Sequence, residues 1–247
     1  MPQIRLHIQP GFQVEGRPRC FSGTPFAIKV QRLLQYKGLS FEVEEVGWLT
    51  RAEVLPKLSA SGKLPVLDYD GQRIEDSSEI AHFIEARHPE PSLTPADPLE
   101  RARSHFIEEW ADEVLYWYGA YEQLRITQGN VVGDAYFREL PEEAARAARE
   151  FGIKGAERIQ SAQGVGRYPP EKIQGDIARG LDQLAVLIEA DGFVAGNQLS
   201  LADIALFGQL HRRLAGTNPW LEGEVAARSP LAHWLGRVDQ LTDSGGG

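Results

Sequence analysis

Gly62-Lys63-Leu64-Pro65-Val66-Leu67, the turn Asp68-Tyr69-Asp70-Gly71, and Arg73-Ile74-Glu75-Asp76-Ser77 are the residues that decide the fold of this chain. Two short apolar runs divided by an acidic, glycine-containing turn predict a β-hairpin. Pro65 cannot donate to a sheet ladder, so it belongs at the start of the first strand. A cis Leu64–Pro65 peptide would leave the Leu64 main chain facing outward, open to an extended peptide. Asp76-Ser77-Ser78 then opens the amphipathic run Glu79-Ile80-Ala81-His82-Phe83-Ile84-Glu85. Asp or Ser in that place caps a helix, whose first N–H groups favour an anion. Together with Lys63 these features make a groove for a small acidic peptide.

The pattern resembles the glutathione site of the cytosolic glutathione transferases, and the resemblance covers nearly the whole chain. Leu64-Pro65 matches the family's Val-cisPro step, Asp76-Ser77 its Glu/Gln-Ser pair, and Lys63 the basic residue ahead of the step. The resemblance implies that Leu64 and Pro65 present backbone to glutathione. It places the γ-glutamyl end at Asp76 and Ser77, and the glycine carboxylate near Lys63. A second match is Phe193-Val194-Ala195-Gly196-Asn197-Gln198-Leu199-Ser200-Leu201-Ala202-Asp203-Ile204-Ala205-Leu206, which looks like the family's Ser-x-x-Asp capping box at a buried helix. In such a box the hydroxyl and the carboxylate each accept the other residue's N–H, so Asp203 reads as structural.

Outward from the hairpin, Ile4-Arg5-Leu6-His7-Ile8 alternates as a strand, and Pro25–Tyr36 shows helical spacing with proline in its first turn and Gly38 as its stop. Phe41–Val46 alternates again. With a helix, two strands and a further helix, the order becomes β-α-β-α-β-β-α, that of a thioredoxin-like domain. Four prolines between Pro89 and Pro98 forbid a helix and predict a semi-rigid linker. All that follows is helical in pattern, broken near Gly129–Gly133, Gly164–Gly166 and Gly216. The expected fold class is therefore α/β plus all-α. A thioredoxin-like domain spans 1–88, a linker 89–98, a helical bundle 99–243 and a disordered tail 244–247.

A chain of 247 residues, 42% of them hydrophobic, has ample core for two modest domains. Its net charge of −9 argues against a general nucleic-acid or anionic-membrane binder. No apolar run approaches the roughly 18 residues of a membrane span, and no signal-peptide stretch opens the chain. Cys20 is the sole cysteine, which excludes an internal disulfide and fits a reducing, cytoplasmic location. The six histidines show no metal-ligand spacing, and no phosphate-loop or dinucleotide fingerprint occurs.

A free thiol has a pKa near 8.5, and lowering it by roughly two units takes about 2.7 kcal/mol of preferential anion stabilisation. In glutathione transferases a Tyr, Ser or Cys near the start of the first helix acts on the thiol. Here the pattern Ser/Cys-Pro-Phe falls on Thr24-Pro25-Phe26, which makes Thr24 the donor by resemblance, with Ser22 as its rival. Thr24 as a helix cap alone is the plainer reading. A reactive Cys20 would instead imply thiol exchange, although it lies four residues too early. The stretch Gln9–Ser22 is longer than the family's usual connection and looks like that of the metaxin-like and failed-axon-connections-like branch. The aromatic helix carrying Trp110, Tyr116, Trp117, Tyr118 and Tyr121 would border the electrophile's pocket, with Tyr116 or Tyr118 touching it. The resemblance thus implies a transferase that activates glutathione, as co-substrate, against a hydrophobic electrophile. It implies a homodimer, and no tightly bound cofactor or metal. Thiol exchange through Cys20 and a non-catalytic scaffold of the same fold are the alternatives.

Overall fold

The computed structural model describes residues 2–123, 133, 137 and 140–243. Strand β1 (Ile4–Ile8), helix α1 (Pro25–Tyr36), strand β2 (Glu42–Glu45), helix α2 (Arg51–Leu58), strands β3 (Val66–Tyr69) and β4 (Gln72–Glu75), and helix α3 (Ser77–Arg87) come first. The sheet order is β2-β1-β3-β4. β1 pairs in parallel with β2 and antiparallel with β3, and β3 with β4 is the antiparallel hairpin expected from the sequence. This is a thioredoxin-like domain.

A helical domain follows. Helix α4 (Pro98–Trp110) runs through a π-helical turn, Ala111–Leu115, into α5 (Tyr116–Tyr121). Then come α6 (Glu142–Gln163), a short 3-10 turn, α7 (Pro170–Asp191), α8 (Leu201–Leu214), α9 (Pro219–Ala226) and α10 (Ser229–Thr242). Residues 88–97, rich in proline, contain no helix or strand. The tail 244–247 and, apart from Gly133, the expected break at Gly129–Gly133 lie outside the described residues.

β1 sits centrally because Leu6 and Ile8 are fully buried, whereas every residue of β2 is exposed, as suits an edge. α1 contributes Ala27, Ile28, Val30, Leu33 and Leu34, all inaccessible to solvent, to the core it shares with the sheet. The other layer of this core is α8, buried over 12 of its 14 residues. A Cβ on Gly208 would come within 2.6 Å of the Pro25 carbonyl, so α1 and α8 approach at a point that admits only glycine. The Ser200–Asp203 capping box is present. The Asp203 carboxylate accepts from Ser200 N–H at 2.9 Å, Ser200 Oγ at 2.7 Å, Val194 N–H at 3.1 Å and Trp234 Nε1 at 2.8 Å. One buried side chain thereby ties the α8 start to the preceding loop and to α10.

Candidate functional site

The site begins where β3 begins. The Leu64–Pro65 peptide is cis. Leu64 and Pro65 are buried and Lys63 is exposed. Among the described residues no backbone group pairs with the Leu64 N–H or C=O, which lie just beyond the β3 ladder. Glu75, at the end of β4, holds the approach to this point. Its carboxylate accepts from Ala60 N–H at 2.9 Å, Ser59 Oγ at 2.7 Å, Ser61 N–H at 3.2 Å and Ser61 Oγ at 3.0 Å. Those donors, led by the Ala60 amide, pull its pKa down to about 2. Ser59 Oγ in turn accepts from Lys63 N–H at 3.2 Å.

α3 starts beside this loop. Asp76 has φ 72° and ψ 132°, a positive-φ backbone that side-chain-bearing residues rarely adopt. Its Oδ1 accepts from Ser78 N–H at 2.9 Å and Glu79 N–H at 3.3 Å, so the carboxylate caps α3. Ser77, the first residue of the helix, is buried. Beneath them lies a group that sequence reasoning missed. Lys29 Nζ is buried between the domains and donates to Ser78 Oγ at 2.9 Å, Glu108 Oε1 at 2.7 Å and Asp112 Oδ2 at 2.7 Å. The available signals were a lysine within the apolar run Ala27–Val30 and two acids four apart, Glu108 on α4 and Asp112 in the turn after it.

At the start of α1 the three candidate sulfur partners separate. Thr24 is partly exposed, and its Oγ1 accepts from Phe26 N–H at 3.3 Å. Having accepted, it keeps its own proton to donate. Ser22 is fully buried; its hydroxyl donates to the Gln9 carbonyl at 2.8 Å and accepts from Thr24 N–H at 3.3 Å. Cys20 is buried as well, with its thiol 3.4 Å from the Ser22 carbonyl, and burial pushes its pKa up. The long connection folds into a hairpin-like loop, with Phe12 and Cys20 bridged antiparallel. Arg17 pairs with Glu222 of α9 at 2.8 Å, and Arg212 of α8 donates to the Gly23 carbonyl at 3.0 Å. The loop thus fastens the start of α1 to the helical domain.

The aromatic helix divides. Tyr116 meets Phe26 with ring centroids 4.8 Å apart, and so stands beside the α1 start. Tyr118 instead lines a cavity of about 470 Å³ with Trp110, Gly180 and Leu184, between α4 and α7. Residues two apart on a helix point nearly opposite ways, so the two tyrosines do not share a pocket. A larger cleft of about 770 Å³ opens between α2 and α6, walled by Trp48, Leu55, Phe151 and the Ser59–Gly62 loop. Among the described residues no cluster of His, Cys, Asp and Glu is arranged to hold a metal ion, and no helix is long and apolar enough to cross a membrane.

Comparison with known proteins agrees with this architecture. The family described as glutathione S-transferase N-terminal domain matches residues 25–129, and that described as glutathione S-transferase C-terminal domain matches residues 135–237. The isoprene-epoxide–glutathione S-transferase of Rhodococcus sp. (strain AD45) is 24% identical over 234 residues, which are 89% of this chain and 93% of that protein. Protein LigF of Sphingobium sp. (strain NBRC 103272 / SYK-6) is 32% identical over 96 residues, 37% of each chain. The crystal structure of beta-etherase LigF from Sphingobium sp. strain SYK-6 superposes with a TM-score of 0.69 at 20% identity, covering 96% of this chain and 95% of that one.

Proposed function

The chain belongs to the cytosolic glutathione transferase superfamily and is an enzyme of that type, and from this premise we propose that Thr24 stabilises the glutathione thiolate for attack on a hydrophobic electrophile. The observation that carries the assignment is the hydrogen-bond state of the two hydroxyls. Thr24 Oγ1 accepts from Phe26 N–H and has a proton to give, whereas the proton of Ser22 is committed to Gln9. Glutathione's cysteine pairs with the open Leu64 main chain beside Pro65, as one more strand. Its γ-glutamyl carboxylate faces the α3 N-terminus at Ser77 and its ammonium faces Asp76. Lys63 faces the glycine carboxylate. The thiol proton leaves to solvent, the sulfur lone pair forms the new C–S bond, and the electrons of the broken bond depart with the leaving group or ring oxygen. Tyr116, against Phe26, borders the electrophile; Tyr118 serves the packing of α5 on α7. This chemistry uses glutathione as co-substrate and requires no metal or tightly bound cofactor.

The burial of Cys20 speaks against thiol exchange through that residue. Retention on immobilised glutathione, followed by a chromogenic conjugation assay, tests the reading. Retention with turnover is the expected outcome. Retention without turnover across several electrophiles would favour a binding module, and no retention would sink the glutathione site. We place the protein in the cytoplasm as a homodimer. Phe106 and Leu99, large apolar residues left 74% and 68% exposed on α4, are the surface such a partner would cover. Sedimentation of the wild-type chain should give a two-chain species that Phe106→Glu shifts to one chain.

A further inference from the structure

Thr24 stands just ahead of α1, and its direction is set by the residue before it. The peptide between Gly23 and Thr24 is held at both ends. Its N–H donates to Ser22 Oγ at 3.3 Å, and its carbonyl accepts from Arg212 Nε at the shorter 3.0 Å. The N–H of Gly23 itself donates to the Pro10 carbonyl at 3.1 Å. Glycine turns freely where other residues do not, so these bonds set the plane from which the Thr24 side chain departs. Thr24 is β-branched and stiff about χ1, and its Oγ1 accepts from Phe26 N–H. Once the plane is fixed, the hydroxyl is fixed.

Arg212, on α8, is only 7% exposed, and a guanidinium is costly to bury unless its donors are used. Its Nη1 donates to Gln123 Oε1, just past the end of α5, and its guanidinium carbon lies 5.7 Å from the centroid of the Phe12 ring. The planar fork thus joins the residue ahead of Thr24, the long loop and the end of the aromatic helix. The next residue, Arg213, donates from Nη2 to the Tyr116 carbonyl at 3.1 Å. Two consecutive arginines of α8 therefore hold the donor turn on one side and the Tyr116 helix on the other. Well-packed apolar side chains of similar volume serve stability as well as a buried charge does. What they lack is a donor aimed at the Gly23 carbonyl.

We infer that Arg212 is a positioning residue for the transferase chemistry: through the Gly23 carbonyl it aims the Thr24 hydroxyl at the glutathione sulfur, and through Gln123 it keeps that turn in register with the Tyr116 helix. This role rests on Thr24 as the thiolate donor and needs no contact with either substrate. The pKa of bound glutathione, read from thiolate absorbance against pH, separates aim from mere folding. Arg212→Met keeps the bulk and removes the donors; it should raise that pKa by at least about half a unit, about threefold less thiolate, with glutathione affinity within about twofold of wild type. Arg212→Gln puts an N–H where Nε stood, without the charge, and should recover most of the shift. Added to Thr24→Val, Arg212→Met should raise the pKa no further. Gln123→Leu frees the guanidinium on one side and should give a smaller rise, which carries the test if Arg212→Met does not fold. If Thr24→Val raises the pKa while Arg212→Met and Gln123→Leu leave it in place, the inference is overturned and the Thr24 assignment stands. Equal rises in the Met and Gln variants would also overturn it, since charge and not aim would then be at work. A silent Thr24→Val would sink the donor assignment, and this inference with it.

Discussion

Two hydroxyls and a thiol within five residues of one another face three different environments, and burial sorts them. Thr24→Val removes the donor while keeping the shape, so the pKa of bound glutathione should rise by about one unit, read from thiolate absorbance against pH. Ser22→Ala should leave that pKa in place and cost about 1 kcal/mol in urea unfolding, through the lost bond to Gln9. Cys20 should resist alkylation in the native state. Elsewhere Glu122, fully buried with Asn218 donating to it, has its pKa pushed up to about 7 from 4.5, chiefly by burial. The folded protein therefore holds a proton that the unfolded chain releases. Stability from this group is complete below about pH 4.5 and falls as the pH rises through 7, by on the order of 3 kcal/mol. Glu122→Gln should flatten that slope in denaturation curves taken across the range.

At the scale of elements, the hairpin and the capping box were legible because each is a local contract between neighbours in sequence. Turn, proline and cap residues state their own backbone requirements. The Glu75 latch was less so, since a carboxylate at a strand end gives no hint of the loop it will fasten. Glu75→Ala should free Ser59–Ser61 and weaken glutathione binding about three- to tenfold, measured by calorimetry, with the conjugation rate at saturation little changed. The aromatic stripe was harder to read for a different reason. The π-helical turn Ala111–Leu115 adds a residue to the repeat, so faces read at 3.6 residues per turn drift across it. Trp110, Val114 and Tyr118 end on the α7 side, and Tyr116 reaches Phe26.

Over the whole molecule, the two domains are joined by a charge cluster that no local pattern announces. Lys29 comes from α1, Glu108 and Asp112 from α4 and the turn after it, and Ser78 from α3; only the assembled fold puts them in reach. Lys29→Met should lower stability by about 3–5 kcal/mol, because two buried carboxylates lose their cation. The triple variant with Glu108→Gln and Asp112→Asn should recover most of that loss in urea unfolding. Arg212 belongs to the same class of residue, its contact with Gly23 spanning 189 positions. The seat of α8 has a further bearing on how the protein is made. α1 is translated well ahead of the surface that covers it, around Gly208, because most of the helical domain lies between them in the chain. Until that surface emerges the nascent thioredoxin-like half must wait with an oily flank bare, a natural client for whatever chaperone stands at the exit tunnel.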